Sequence, residues 1–110
     1  MRRAALPLAA LAAALAGCSH PGPGGGTLYQ ANCARCHGAD GRGDSRSVAL
    51  YPHLDLTASP MVRAAARGPI FQRIADGYGV MPGFAHRLET DDMTSLVDYV
   101  LRLAQGKAQR

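Results

Sequence analysis

Apolar residues recur at helical spacing in several parts of the chain and predict its main helices. The longest stripe lies near the C-terminus and repeats every three or four positions: Met93, Leu96, Val97, Val100, Leu101 and Ala104. It predicts an amphipathic helix that begins at Thr90 and ends by Gly106. Tyr99 lies beside this stripe, and we expect it to cross the first helix near Tyr29 and Gly26.

The first helix is predicted from a shorter stripe, formed by Leu28, Tyr29, Ala31 and Cys33. Thr27 and Gln30 have the spacing of a capping box, so the helix is expected to open at Thr27. It is expected to run to about Cys36 and to end at Gly38.

The middle of the chain carries weaker signals. Residues 38–57 are rich in turn formers and predict mostly loop. Ser59 and Pro60 predict the start of a short helix over residues 61–67. The next helix has one apolar face, formed by Ile70, Phe71, Ile74 and Ala75, and is expected to end at Gly77. Because no stretch has a strand pattern, the sequence predicts an all-α domain.

Residues 1–17 are predicted to be a lipoprotein signal peptide rather than part of the fold. Two arginines precede an apolar run over residues 6–16, which is too short to span a bilayer. The sequence Leu-Ala-Gly-Cys at residues 15–18 resembles the bacterial lipobox. This resemblance implies cleavage before Cys18 and attachment of a diacylglyceryl group to its sulfur. The alternatives are an ordinary signal peptide with an incidental cysteine, or an uncleaved anchor.

Residues 18–26 are predicted to be the lipidated cysteine and a flexible linker, because Gly and Pro dominate and no apolar periodicity is present. The folded domain is expected over residues 27–105, followed by a basic tail at residues 106–110. Loss of the leader removes two of the twelve basic side chains and lowers the formal charge from +4 to +2. This small charge gives no argument for a nucleic-acid partner.

The most informative stretch is Cys-Ala-Arg-Cys-His at residues 33–37. Two thiols three positions apart on one helical turn reach the two vinyl groups on one edge of a porphyrin, and each would form a thioether. His37 then lies under the iron and can bind it through an imidazole nitrogen. Gly38 lets the backbone pass close to the ring. Pro52 offers a carbonyl that we predict accepts the Nδ1–H of His37 and so raises its basicity.

The same cysteine pair has other interpretations. Zinc requires four ligands, usually from a second pair at similar spacing, and no second pair is present. A thiol–disulfide redox site usually accompanies a βαβ pattern, and a structural disulfide is a further alternative. Haem accounts for more of the chain, because Cys18 would take lipid and the other two cysteines haem, leaving no free thiol. A porphyrin would also supply the apolar core that so small a domain lacks.

A second informative stretch surrounds Met81, which has glycines on both sides and precedes Pro82. The residue before a proline is pushed into an extended conformation, which suits a thioether projecting from a loop toward a metal. We therefore predict that Met81 is the second iron ligand. The alternative is that Met81 fills a gap in the core, which is the role we expect of Met61 and Met93.

From the first helix to the last, these features resemble the class I cytochromes c. The likeness comprises an amphipathic helix leading into Cys-x-x-Cys-His-Gly, a Gly-rich turn, a Met-Pro pair and a terminal helix. It implies a cytochrome c fold, with three to five short helices around one covalent haem c. By this resemblance Cys33 and Cys36 are the attachment points, His37 and Met81 the iron ligands, and Pro52 the hydrogen-bond acceptor.

Residues 74–84 also resemble the monohaem lipoprotein subunit of alternative complex III, a quinol-oxidising membrane assembly. That resemblance implies a complex subunit rather than a free shuttle. The chain departs from mitochondrial cytochromes c in having one lysine, Lys107, instead of a lysine ring. No particular oxidase is therefore implied as its partner.

The expected function is electron transfer rather than enzymatic catalysis. Iron with two protein ligands has no open position, and His/Met ligation raises its reduction potential, which suits the oxidase-facing side of a bacterial respiratory chain. We expect redox proteins of that chain as partners, and a lipid-anchored position on the periplasmic side of a membrane. The alternatives are a haem enzyme or gas sensor with a displaceable Met81, and a metal or thiol module without haem.

Overall fold

The computed structural model describes residues 22–108, which form six α-helices and two single-turn 3-10 helices. The α-helices are α1 (Gly25–Asn32), α2 (Ala34–His37), α3 (Ser45–Leu50), α4 (Pro60–Arg63), α5 (Arg67–Asp76) and α6 (Thr90–Ala104). The 3-10 helices are Pro52–Leu54 and Leu56–Ala58. Within these residues the only β-type pairing is an isolated bridge between Tyr78 and Met81. The predicted all-α class is confirmed, although the helices outnumber the three to five expected.

Helix α6 forms the centre of the core, and its boundaries agree with the prediction. Its buried residues are Met93, Leu96, Val97, Tyr99, Val100 and Leu103. Leu101 and Ala104, which the predicted stripe included, are only partly buried, and Leu103 takes their place. Glu89 caps the helix and exchanges backbone and side-chain hydrogen bonds with Asp92, which forms a capping box.

Helix α1 packs directly against α6, and this contact decides where α1 begins. A Cβ atom on Gly25 would lie 2.3 Å from the carbonyl oxygen of Ser95, so only glycine permits this approach. The rings of Tyr29 and Tyr99 have centroids 5.1 Å apart, and a Cβ on Gly26 would lie 3.1 Å from the Tyr99 ring. The predicted crossing of Tyr99 over Tyr29 and Gly26 is therefore confirmed.

The predicted capping box at the start of α1 is wrong. The helix begins at Gly25, two residues before Thr27, and its N-cap Gly24 makes no side-chain hydrogen bond. The two glycines assigned to the linker belong to the helix because they are the residues that can approach α6. Residues 1–21, which include the proposed signal peptide and Cys18, lie outside the described part of the chain.

Residues 38–57 contain more helix than the sequence predicted. Asp44 caps α3 by accepting hydrogen bonds from the backbone N–H groups of Arg46 and Ser47, and Asp55 caps the following 3-10 helix through Thr57. These short helices are specified by capping rather than by apolar periodicity. Further along, α4 is shorter than expected and is followed by Ala65, whose φ is 49°.

Helix α5 begins at Arg67 and ends at Asp76, and Gly77 is its C-cap, in agreement with the predicted stop at Gly77. Arg67 forms an ion pair with Asp98 across 2.5 Å, which joins α5 to α6 on their exposed side. Ile70 and Ile74 point into the core. None of the helices within residues 22–108 is long and apolar enough to cross a membrane.

Candidate cofactor site

The described residues enclose one large cavity, with a volume of about 670 Å³. Its wall is mainly apolar and includes Ile70 and Ile74 from α5 and Leu96 and Val100 from α6. Five of the predicted site residues also line it: Cys33, Cys36, His37, Pro52 and Met81. The fold thus brings together two stretches of sequence that lie more than 40 positions apart.

The cysteine pair is carried by one turn of helix. Cys33 interrupts the helix with φ −120°, and its carbonyl accepts hydrogen bonds from the N–H groups of Cys36 (3.1 Å) and His37 (2.9 Å). This separates α2 from α1 while keeping the three functional side chains on one turn. Cys33 is half-buried and Cys36 exposed, and the two are not joined by a disulfide.

The orientation of His37 is fixed by a hydrogen bond from Nδ1 to the carbonyl oxygen of Leu54, at 2.9 Å. Because a carbonyl only accepts, Nδ1 carries the proton, and Nε2 keeps its lone pair for a metal.

The prediction that Pro52 supplies this acceptor is wrong. The Pro52 carbonyl accepts the N–H of Asp55 (3.2 Å), whereas the carbonyl of Leu54, the last residue of the 3-10 helix, accepts the Nδ1–H of His37. Pro52 lies in the cavity wall and opens the 3-10 helix that directs the Leu54 carbonyl to His37.

Gly38 adopts φ 75°, a conformation that favours glycine. A Cβ there would lie 3.0 Å from the backbone nitrogen of Gly43, whose N–H donates to the His37 carbonyl at 2.7 Å. The Gly38 carbonyl in turn accepts a hydrogen bond of 2.7 Å from the hydroxyl of Tyr29. A hydrogen bond from Tyr29 therefore holds the segment after His37 against helix α1. The proximity of Gly38 to a cofactor stays a prediction.

Met81 lies in a tight turn packed against the end of α5. The Tyr78 N–H donates to the Met81 carbonyl (3.0 Å), and the Met81 N–H donates to the Tyr78 carbonyl (2.9 Å). Gly77 and Gly83 let the turn approach α5, since a Cβ at either position would lie within 2.7 Å of backbone atoms. The Met81 side chain is half-buried.

Several cavity residues were missed or assigned other roles from the sequence. Met61, expected to fill the core, lines the cavity, whereas Met93 is buried as expected. His53 also lies in the wall. Arg73 lies in the wall as well. Its signal in the sequence is a charged residue between Ile70 and Ile74, two positions of the apolar stripe of α5.

The residues in this cavity fit a flat apolar group held by thioethers and bound through iron. Burial raises the pKa of the Cys33 thiol to about 11, and the nearby Cys36 adds to this shift. A thiol that stays protonated at neutral pH is a poor nucleophile for disulfide exchange. Within residues 22–108, no group of three or more His, Cys, Asp or Glu side chains is arranged to hold a metal ion by itself.

The hydrogen bond from Tyr29 to Gly38 supports a testable prediction about stability. Burial raises the pKa of the Tyr29 phenol above its ordinary value of 10. We expect Tyr29→Phe to lower the free energy of unfolding of the mature protein by about 0.5–1.5 kcal/mol at pH 7.

The difference in unfolding free energy between wild type and Tyr29→Phe should shrink above pH 10. There the unfolded chain releases the Tyr29 proton while the folded chain keeps it, so the wild type loses about 1.4 kcal/mol per pH unit from this residue. Denaturant unfolding at pH 7, 10 and 11 measures the difference, with the exposed Tyr51→Phe as control. A gap between wild type and Tyr29→Phe that stays constant up to pH 11 would contradict the assignment.

Comparisons with known proteins agree on one family. Residues 22–100 match the family model described as cytochrome c oxidase, cbb3-type, subunit III. The chain is 36% identical over 81 residues to cytochrome c6 of Leptolyngbya boryana, covering 74% of this chain and 91% of that protein. It is 34% identical over 89 residues to the cbb3-type cytochrome c oxidase subunit CcoP of Azospirillum brasilense.

The extent of these matches differs. The CcoP match covers 76% of this chain but only 28% of that subunit, so the chain spans about a quarter of its length. Among solved structures, the KustC0563 c-type cytochrome superposes with a TM-score of 0.63 at 23% identity, covering 74% of this chain and 98% of that one. This last likeness bears on the fold alone.

Proposed function

The chain belongs to the cytochrome c family, and on that premise we propose that it transfers single electrons in a bacterial respiratory chain. Members of this family carry covalently attached haem c, and this chain has both cysteines of the attachment motif. The proposed ligands of the iron are His37 and Met81. One observation supports this most strongly: a single apolar cavity is lined by Cys33, Cys36 and His37 from one stretch and by Met81 from another.

Each proposed site residue has a distinct task. Cys33 and Cys36 would bind the haem through thioethers, and His37 would present Nε2 to the iron. The Leu54 carbonyl holds the proton on Nδ1 and makes Nε2 more basic. When bound, haem supplies an iron that gains and loses one electron reversibly.

Met81 would supply the second protein ligand and so exclude other molecules from the iron. Together with the His37 imidazole, a thioether ligand would favour the reduced state and raise the reduction potential. If His37 and Met81 both bound the iron, no position on it would be left for a substrate. We therefore propose a carrier rather than an enzyme.

We further propose that the protein acts at the periplasmic side of a bacterial membrane, held by lipid on Cys18. Support for this comes from the lipobox-like sequence at residues 15–18 and from relatives that are oxidase subunits. Its partners would be redox proteins of the respiratory chain, reached either as a free carrier or within an oxidase or quinol-oxidising complex.

The proposal is tested by producing the full chain in a bacterium that attaches haem to c-type cytochromes. We expect the mass of the purified protein to include one covalent haem, and its pyridine haemochrome spectrum to be that of a doubly thioether-linked haem. The reduced protein should bind carbon monoxide poorly and should titrate as a single one-electron couple. A colourless product would refute the proposal, and rapid carbon monoxide binding would favour a gas sensor or haem enzyme.

A further inference from the structure

The wall of the cofactor cavity contains one arginine, Arg73, which the proposed function leaves without a role. Arg73 lies on α5 between Ile70 and Ile74, the two core residues of that helix, and its side chain is half-buried. Arginine keeps its positive charge in proteins under all ordinary conditions. A permanent cation therefore borders an otherwise largely apolar cavity.

Within residues 22–108, Arg73 has no carboxylate partner. The one ion pair among these residues joins Arg67 to Asp98. Asp76, the nearest acidic residue along α5, accepts a hydrogen bond from Gln72 instead. The other charged cavity residue is Asp55, and its carboxylate accepts hydrogen bonds from the backbone N–H and the hydroxyl of Thr57. No carboxylate side chain within residues 22–108 therefore neutralises the charge of Arg73.

Arg73 is held in place by an aromatic ring. Its guanidinium carbon lies 4.5 Å from the centroid of Tyr78, within the range of a cation–π interaction. Tyr78 is joined to Met81 by the two backbone hydrogen bonds of the same turn. The turn that carries the proposed sulfur ligand therefore also fixes the position of the cation.

We propose that Arg73 is a positioned charge that raises the reduction potential of the cofactor, an inference that rests on the proposed function. Oxidation transfers one electron from the iron to a redox partner protein and leaves one additional positive charge in the cavity. A fixed cation beside the cavity repels that charge and so disfavours the oxidised state.

The size of the effect follows from Coulomb's law. A unit charge about 10 Å away, at an effective dielectric constant of about 20, changes a one-electron equilibrium by on the order of tenfold. Partial exposure of Arg73 to water reduces this. We expect the ratio of oxidised to reduced protein at a fixed ambient potential to rise about three- to tenfold in Arg73→Gln, the upper limit corresponding to about 59 mV.

The test is a spectroelectrochemical titration of the mature haem protein. Arg73→Gln should lower the midpoint potential, whereas Arg73→Lys, which keeps the charge, should stay within about twofold of the wild-type equilibrium. Arg102→Gln is the matched control, because Arg102 also lies over an aromatic ring (Tyr99, 5.9 Å) but does not line the cavity. It should leave the potential unchanged.

The readouts separate this inference from the proposed function. A potential that is the same in Arg73→Gln and wild type, or that falls equally in Arg73→Lys and Arg73→Gln, would overturn the role of the charge. Haem content and the visible spectrum of the wild type test the proposed function independently, because they do not depend on Arg73. Tyr78→Leu should reproduce part of the Arg73→Gln shift, since it frees the guanidinium from its ring.

Discussion

Replacing Met81 by alanine is expected to lower the midpoint potential by on the order of 100 mV or more, within the roughly 0.8 V range that axial ligands set in haem proteins. The variant would lose the thioether proposed to favour reduced iron, and water or another weak ligand would take its place. We also expect rapid carbon monoxide binding and peroxidase-like reactivity, because the iron gains an open position. Redox titration, carbon monoxide binding and a peroxide assay measure these three effects.

Met61 supplies the matched control for this experiment. It is the other half-buried methionine in the cavity wall, but it lies on α4 rather than in the turn after α5. Met61→Ala should leave the carbon monoxide reactivity and the visible spectrum close to wild type. If the large shift appears in Met61→Ala and not in Met81→Ala, the ligand assignment is wrong. An unchanged spectrum in Met81→Ala would also exclude it as a ligand.

Features that depend on neighbouring residues along the chain were predictable from the sequence. The spacing of Cys33, Cys36 and His37 is such a feature, because one helical turn sets their relation whatever surrounds them. The limits of α6 and the end of α5 at Gly77 were also predictable, since a long apolar stripe and a terminal glycine are strong local signals.

Features that depend on packing were not predictable in the same way. The acceptor for His37 is Leu54 rather than Pro52, because a 3-10 helix directs the later carbonyl to the ring. Helix α1 begins at Gly25 because α6 lies against it there. Both outcomes depend on where distant segments meet, which neither capping rules nor turn propensities specify. Helix α3 is different, because its Asp44 cap was present in the sequence as a local signal.

The second large effect is expected from Cys18→Ser, which removes the sulfur proposed to carry lipid. A single acyl chain gives only marginal membrane binding, whereas two chains give a stable anchor, so a diacylglyceryl group would keep the protein in the membrane. We expect wild-type protein to remain in the membrane after a high-salt wash and to enter the detergent phase. Mass spectrometry of its N-terminal peptide should give a lipid-modified Cys18.

The variant should lose both the lipid mass and the detergent partitioning, while haem content and reduction potential stay unchanged. These should not change because the cofactor cavity is built from residues 29–100, well beyond Cys18. Ser19→Ala is the matched control and should behave as wild type. Because α1 already begins at Gly25, six residues, 19–24, would separate a lipidated Cys18 from the folded domain, and six residues span at most about 20 Å. So short a tether would confine the domain to partners at the same membrane surface. An unmodified Cys18 in the mature wild type would refute both the anchor and that confinement.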